Sequence, residues 1–130
     1  MKRVAVGIIS RLREDTPEYL LISAKKDFGK YTGFYYPPGD HVEEGETDEI
    51  ALEREIKEEL GVKVRVLEKM SETLGDVKDQ ITTWWKCSNE GSDFEIQDDE
   101  ISDIRWMTKK EIEESFKIWP ATKKFFMDIV

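Results

Sequence analysis

The sequence predicts an α/β domain in which helices pack on a mixed β-sheet. Apolar runs of strand length recur along the chain, one carboxylate-rich helix stands in its first half, and helical patterns return near its end. The chain has 130 residues, of which 38% are hydrophobic, so it can bury one sizeable core. We therefore expect a single domain over residues 1–130.

The first part of the chain predicts a β-hairpin followed by a loop. Residues 4–9 and 19–22 are apolar runs joined by a polar turn, which is typical of two paired strands. Residues 27–33 contain two glycines and read as a loop. The aromatic residues 34–36 precede two prolines, so we expect a brief strand that delivers the chain rigidly into a turn at Gly39.

The next segment predicts a helix from about Asp48 to Leu60. Thr47 suits the N-cap, Asp48 and Glu49 place negative charge at the positive end of the helix dipole, and Gly61 suits the C-cap. At 100° per residue the helix has an apolar stripe of Leu52, Ile56 and Leu60. Beside the stripe lies a carboxylate face of Glu55, Glu58 and Glu59.

This carboxylate face has two interpretations. Most charge runs are solvated surfaces, and the chain is rich in glutamate. Close carboxylates nevertheless repel one another, and Arg54 alone supplies too little positive charge to relieve them. A divalent metal ion is the alternative remedy. Oxygen ligands select hard ions, which favours Mg²⁺ or Mn²⁺ over zinc.

The second half predicts a second hairpin and a polar loop. Its strands lie within residues 63–75 and 80–87, where Cys87 is expected to be a small core residue. Residues 88–100 are polar and acidic, and they are the best candidate for a mobile loop. In a strand, Trp84 and Trp85 point to opposite faces, so at most one of them lines a ligand site on a given face.

The chain is expected to end in one strand and two short helices. The strand covers residues 101–107, and a capping box at Thr108 starts a helix that ends at about Phe116. Pro120 opens a terminal helix. The apolar side of that helix consists of Phe125, Phe126 and Ile129.

Composition excludes some classes of function. The net charge is −9, and no basic stripe is present to follow a nucleic-acid backbone, so polymeric DNA or RNA is not an expected partner. No apolar run approaches the length of a membrane span. The chain has one cysteine, and Met1-Lys2-Arg3 lacks a signal-peptide pattern, which predicts a cytoplasmic protein.

Residues 40–62 resemble the Nudix hydrolase box. That box is written Gly-x5-Glu-x7-Arg-Glu-U-x-Glu-Glu-x-Gly-U, with U apolar, and eight of its nine specified positions match here. The departure is Asp40, which stands at the first glycine. Because Asp tolerates left-handed backbone, we expect the turn to survive at some energetic cost.

The resemblance implies an α/β/α sandwich with a central catalytic helix. It also implies metal-dependent hydrolysis of a nucleoside diphosphate linked to another group. Its implied metal ligands are Gly39 through its carbonyl, Glu55, Glu58 and Glu59. Glu55 is also a candidate general base, Arg54 would orient a glutamate of the cluster, and Glu46 would pair with Arg54.

A loop acid, a phosphate contact and a base-stacking residue remain to be assigned. In many relatives an acid from a later loop serves as metal ligand or base, and Glu100 looks like that residue, with Asp98 and Asp99 as rivals. Lys25 is a candidate phosphate contact, although surface lysines commonly end strands. Trp119 is a candidate for stacking on a nucleobase together with Phe34 or Trp84, whereas core packing is the commoner role of each.

The resemblance leaves three functions open. The first is Mg²⁺-dependent cleavage of a nucleoside polyphosphate, including MutT-like clearance of oxidised nucleoside triphosphates. The second is cleavage of a dinucleoside polyphosphate or an ADP-sugar. The third is a Nudix-fold sensor that binds a nucleotide without hydrolysing it, which only Asp40 favours. In each case the partner is a small nucleotide, and the sequence does not specify an oligomeric state.

Overall fold

The computed structural model describes residues 1–91 and 93–130. Seven strands and three α-helices follow in the order β1 (Lys2–Ile8), β2 (Ser10–Arg13), β3 (Thr16–Ala24), β4 (Gly39–His41), α1 (Asp48–Leu60), β5 (Val66–Leu74), β6 (Gln80–Cys87), β7 (Ile101–Thr108), α2 (Lys109–Glu114) and α3 (Pro120–Asp128). A 3-10 turn lies at Gly29–Tyr31 in the loop after β3. None of the helices in the described part is long and apolar enough to cross a membrane.

The strands form two sheets. The first has the order β4-β1-β6-β5 and is mixed, because β1 and β6 run parallel while the other neighbours are antiparallel. The second has the order β2-β3-β7 and is entirely antiparallel. The predicted mixed sheet is therefore present, with a smaller antiparallel sheet beside it.

The predicted first hairpin is wrong in its extent. The chain changes sheet at Ile9, so only Ser10–Arg13 pairs along β3, while β1 pairs with β4 and β6. Ile9 is fully buried, and its carbonyl accepts a hydrogen bond from the Leu20 N–H at 3.0 Å. An uninterrupted apolar run cannot show a change of strand partner, because residues on both sides of the change are buried alike.

Helices cover both sides of the sheets. On one side Ala5 and Ile9 belong to the core that contains the apolar stripe of α1. On the other side Val6 and Ile8 belong to the core that contains α2 and α3 residues. That second core includes Trp84, whose ring stacks on Phe125 at 4.2 Å between centroids. The α/β/α sandwich and the α/β class are thus confirmed.

Several predicted boundaries shift. Residues 34–36 do not form a strand, because Tyr35 bridges to Ile118 while Tyr36 bridges to Ile22 on a different element. The predicted turn at Gly39 is a short strand, β4. Helix α2 ends at Glu114, before Phe116, and Ile129 lies beyond α3 and is half exposed.

The predicted loop at 88–100 has no helix or strand in its described residues 88–91 and 93–100, while Ser92 lies outside the described residues. Cys87 is buried at the end of β6, as predicted.

The predicted caps of α1 are confirmed, and further contacts fix this helix on the first sheet. The Thr47 hydroxyl accepts from the Ile50 N–H at 3.2 Å, and the Gly61 N–H donates to the Lys57 carbonyl at 3.0 Å. Asp48 accepts hydrogen bonds from Arg3 of β1 at 2.9 Å and from the Thr83 hydroxyl of β6 at 3.0 Å. These contacts hold the pKa of Asp48 below its usual value, and they join the start of α1 to two strands.

Candidate active site

The site begins where β4 lies against β1. Gly39 has a φ of +141°, and a side chain there would collide with the Ala5 carbonyl oxygen and reach 2.8 Å from the Val6 Cα. Only glycine allows this close backbone approach. The pairing of Val6 with Gly39 thereby brings the start of the box beside the last turn of α1.

Arg54 is the centre of an ion-pair network. Its Nε and Nη2 donate to the two oxygens of Glu46 at 2.9 and 2.8 Å, which confirms the predicted pair. Its Nη1 donates to Glu55 at 2.7 Å and lies 3.6 Å from Glu58. A guanidinium that grips Glu46 with two bonds has little freedom left, so it fixes the position of the Glu55 carboxylate.

Glu59 has an unusual environment for a carboxylate. It is 7% exposed, and its Oε1 is buried without a hydrogen-bond partner. Burial raises its pKa to about 8, and the negative charges of Glu55, Asp40 and Asp98 add to the effect. A buried carboxylate with a free oxygen and acidic neighbours fits a hard cation, which would supply both the missing contact and the missing positive charge.

The other two glutamates of the carboxylate face are placed differently. The Glu55 side chain is mostly buried, and this burial raises its pKa even though Arg54 opposes the shift. Glu58 points outward, with more than half of its side chain exposed. Within residues 1–91 and 93–130, no three His, Cys, Asp or Glu side chains already form a metal cage. Instead, the Arg54 guanidinium binds the Glu55 carboxylate.

Asp40 does not have the backbone conformation that its place in the box predicts. It lies in β4 opposite Ala5, and it is absent from the described residues with positive φ. Its carboxylate accepts from the His41 N–H at 2.7 Å and lies 2.7 Å from the His41 Nδ1. The expected strain was wrong because the positive φ falls on Gly39, one residue earlier. Asp40 therefore acts on the site through its charge.

A cleft of about 1250 Å³ opens beside Glu59 on the α3 side of the first sheet. Its floor comes from alternate residues of the parallel strands β1 and β6, where Val4 pairs with Thr82 and Val6 with Trp84. Seven of the candidate residues named from the sequence line it: Lys25, Gly39, Glu59, Trp84, Asp99, Glu100 and Trp119. Arg54, Glu55 and Glu58 are not among the described residues of its lining.

Aromatic residues line the cleft as well as acidic ones. Trp119 lies 4.6 Å from Tyr31 and 5.2 Å from Phe28 between ring centroids, and Phe28 also lines the cleft. The predicted partner Trp84 belongs to the cleft floor, but it is only 2% exposed and its ring stacks on Phe125 in the core. Phe34 contacts Tyr31 and is not among the described residues of the cleft lining.

The loop acid and the candidate phosphate lysine are joined through the backbone. The Lys25 N–H donates to the Glu100 carbonyl at 2.7 Å, so both side chains emerge together at the cleft. The Gln97 N–H donates to the Glu59 carbonyl at 2.8 Å and ties this loop to α1. Asp99 also lines the cleft, and the charge of Asp98 acts on Glu59. The three loop acids thus remain together near the site.

Sequence reasoning missed part of the lining. Phe28 lines the cleft, and it lies two residues after Lys26 in a loop that contains glycines. An aromatic residue close to lysines in such a loop was the available signal of a ligand contact. The turn between β5 and β6 also lines the cleft with residues 76–79. No local pattern indicates this, because the contact depends on how a hairpin packs near a distant helix.

Fold, box and cleft define the class of protein. The NUDIX domain family matches residues 1–129. "Putative nudix hydrolase 1" of Caenorhabditis elegans is 36% identical over 103 residues, which are 76% of this chain and 26% of that protein. The chain therefore spans about a quarter of that relative's length.

Solved structures show the same fold. The MutT protein from Methanosarcina mazei Go1 superposes with a TM-score of 0.81 at 18% identity, covering 98% of this chain and 90% of that chain. An Ap4A hydrolase of C. elegans superposes with a TM-score of 0.77 at 19% identity, covering 98% and 93%. The chain belongs to the Nudix hydrolase family.

Proposed function

We propose that this domain hydrolyses a pyrophosphate linkage in a nucleoside polyphosphate, with Mg²⁺ as cofactor and Mn²⁺ as a substitute. One observation carries the proposal: a single cleft is lined both by the buried Glu59, whose Oε1 has no hydrogen-bond partner, and by the aromatic residues Trp119 and Phe28. Acidic residues suit a metal-bound diphosphate, and aromatic residues suit a base. A cytoplasmic location stays a prediction from the sequence.

The metal would be held by Glu59, Glu58, Glu55 and the carbonyl of Gly39. When bound, Mg²⁺ neutralises phosphate charge and lowers the pKa of a bound water. Arg54 keeps Glu55 in place through the 2.7 Å contact, while Glu46 holds Arg54. Arg54 is thus a positioning residue for the carboxylate face.

Water attacks a phosphorus of the diphosphate in the proposed reaction. Glu55 and Glu100 are the two candidates for the base that accepts its proton. The raised pKa of Glu55 makes that carboxylate a better proton acceptor than an ordinary glutamate, and Glu100 lines the cleft. From a nucleoside triphosphate, the products are a monophosphate and pyrophosphate.

Lys25 and Trp119 bind the substrate in this proposal. The chain has a net charge of −9, yet four of its fourteen lysines line the cleft, where they can meet a phosphate: Lys2, Lys25, Lys26 and Lys78. Trp119 provides a ring for stacking. We assign the phosphate contact to Lys25 because its backbone is joined to that of Glu100, the candidate loop acid that also lines the cleft.

A dinucleoside polyphosphate or an ADP-sugar is the second candidate substrate. The cleft, at about 1250 Å³, exceeds the size typical of a pocket for one small ligand, and a C. elegans Ap4A hydrolase shares the fold. The non-hydrolytic sensor has less support than the sequence alone gave it, because Asp40 lies in relaxed extended backbone and the carboxylate face is complete.

Turnover of a substrate panel tests the proposal. The panel contains nucleoside triphosphates, oxidised nucleoside triphosphates, dinucleoside polyphosphates and ADP-sugars, each with Mg²⁺ and with EDTA. Metal-dependent release of pyrophosphate and a monophosphate is the expected result. Turnover of only the dinucleotides or ADP-sugars would favour the second candidate, whereas nucleotide binding without any turnover would establish the sensor.

Replacing Asp40 tests whether its charge or its backbone matters. Asp40→Asn and Asp40→Gly both remove a negative charge that acts on Glu55 and Glu59. We expect both to raise the Mg²⁺ concentration for half-maximal turnover by roughly three- to fivefold, because the cation loses one attractive charge. A gain in rate for Asp40→Gly that Asp40→Asn does not share would show that the backbone is strained after all.

A further inference from the structure

Helix α3 is capped by a residue from another element. Its N-cap residue, Trp119, makes no side-chain hydrogen bond to the helix. Instead both carboxylate oxygens of Asp76, in the turn between β5 and β6, accept from the Ala121 N–H at 3.0 and 3.1 Å. A carboxylate at the start of a helix satisfies a free N–H and suits the helix dipole. The cap therefore reaches α3 from 45 residues away.

Because Asp76 supplies the cap, the N-cap position of α3 can carry a tryptophan in place of a capping side chain. The backbone N–H of Trp119 donates to the Tyr35 carbonyl at 3.1 Å. Pro120 has no N–H, and the backbone N–H of Ala121 donates to Asp76. The backbone is thus anchored on both sides of the Trp119 ring. Fixing the backbone at both flanks restricts where that ring can lie.

The two joined segments are neighbouring parts of one cleft. Residues 76–79 of the turn and Trp119, Ala121 and Thr122 of the helix start all line it. The turn is also joined to β1, because the Lys2 N–H donates to the Asp79 carbonyl at 2.8 Å. Among the described residues, the Asp76 carboxylate makes the side-chain hydrogen bonds that connect this turn to α3.

We propose that Asp76 is a positioning residue for nucleoside recognition. By capping α3 from the neighbouring β5–β6 turn, it fixes the position of Trp119 in the cleft. The inference rests on the proposed function only in assigning a nucleotide to this cleft. Asp76 acts on how the nucleoside binds, and it takes no part in the attack on phosphorus.

Kinetics of two substitutions test this role. Asp76→Ala removes the cap. We expect the KM for a nucleoside triphosphate to rise about tenfold, a change that corresponds in free energy to the loss of one charge-assisted hydrogen bond. The kcat should change less than twofold. Asp76→Asn keeps an acceptor for the Ala121 N–H, so it should restore most of the affinity. For ribose 5′-triphosphate, which lacks a base, Asp76→Ala should leave the KM unchanged.

A matched control separates positioning from general stability. Thr108→Ala removes the N-cap of α2, whose hydroxyl accepts from the Glu111 N–H at 3.1 Å, and Thr108 is not among the residues that line the cleft. It should lower the melting temperature by an amount similar to Asp76→Ala without changing the KM. Equal KM changes in the two variants, or an unchanged nucleotide KM in Asp76→Ala, would overturn the proposal.

Binding without metal keeps this test independent of turnover. Quenching of tryptophan fluorescence by a nucleoside monophosphate, absent from Trp119→Phe, should be about tenfold weaker in Asp76→Ala and near normal in Asp76→Asn. A wild-type protein that binds the monophosphate but hydrolyses nothing would refute the proposed function and leave the role of Asp76 measurable. A wild-type protein that binds no monophosphate, or equal binding by wild type and Asp76→Ala, would overturn the inference.

Discussion

Replacing Glu59 with glutamine is expected to stabilise the metal-free protein at pH 8 and to lower Mg²⁺-dependent turnover by at least about 100-fold. Burial and three acidic neighbours raise the pKa of Glu59 from 4.5 to about 8. Glutamine keeps the shape of the side chain without the charge. The gain in the free energy of unfolding should be on the order of 3 kcal/mol, measured by thermal and urea unfolding in EDTA.

The sign of the pH dependence follows from the raised pKa. Between pH 4.5 and about 8 the folded protein holds a proton on Glu59 that the unfolded chain releases, so the stabilising proton is lost as pH rises. The advantage of Glu59→Gln should thus be small near pH 4.5 and largest above pH 8. Glu58→Gln is the matched control, because Glu58 is mostly exposed and should show little of this gain. Identical unfolding curves for Glu59→Gln and wild type would refute the account of Glu59.

Replacing Gly39 with alanine is expected to cost roughly 3–5 kcal/mol of stability. The added Cβ would collide with the Ala5 carbonyl and lie 2.8 Å from the Val6 Cα, at a φ of +141° that alanine rarely adopts. Relief requires β4 to move away from β1, which also moves the start of the box from Glu59. Urea unfolding measures the loss of stability, and turnover of the surviving folded fraction should fall as well.

Gly33→Ala is the control for backbone conformation alone. Gly33 also has positive φ, at +82°, but no atom lies within 4 Å of a Cβ placed there. Its substitution should cost only about 1 kcal/mol. If the two alanine variants lost equal stability, close approach to β1 would not explain the requirement for Gly39.

The helix and its network were predictable because they are local. The caps of α1, its apolar stripe and the pairing of Arg54 with Glu46 all follow from residues within one or two turns of one another or adjacent to the helix start. The switch of sheets at Ile9 was not predictable, since burial on both sides of the change gives the same apolar pattern. Strand pairing depends on partners far along the chain.

The candidate site divides in the same way. The carboxylate face, Arg54 and Gly39 belong to one continuous stretch and were proposed from it. Phe28 and Asp76 come from separate loops that meet only when β3, the β5–β6 turn and α3 pack together. Asp40 stands at the first glycine of the box, and this match predicted backbone strain. The pairing of β4 with β1 does not require such strain.

Comparing Glu58→Gln with Glu53→Gln tests the central claim, that the carboxylate face of α1 holds the metal on which hydrolysis depends. Both substitutions remove one negative charge from the same helix, but Glu53 lies outside the carboxylate face. The account predicts that Glu58→Gln lowers kcat/KM by at least about 100-fold and raises the Mg²⁺ requirement, while Glu53→Gln stays within about twofold of wild type. Near-wild-type, Mg²⁺-dependent turnover by Glu58→Gln would contradict it.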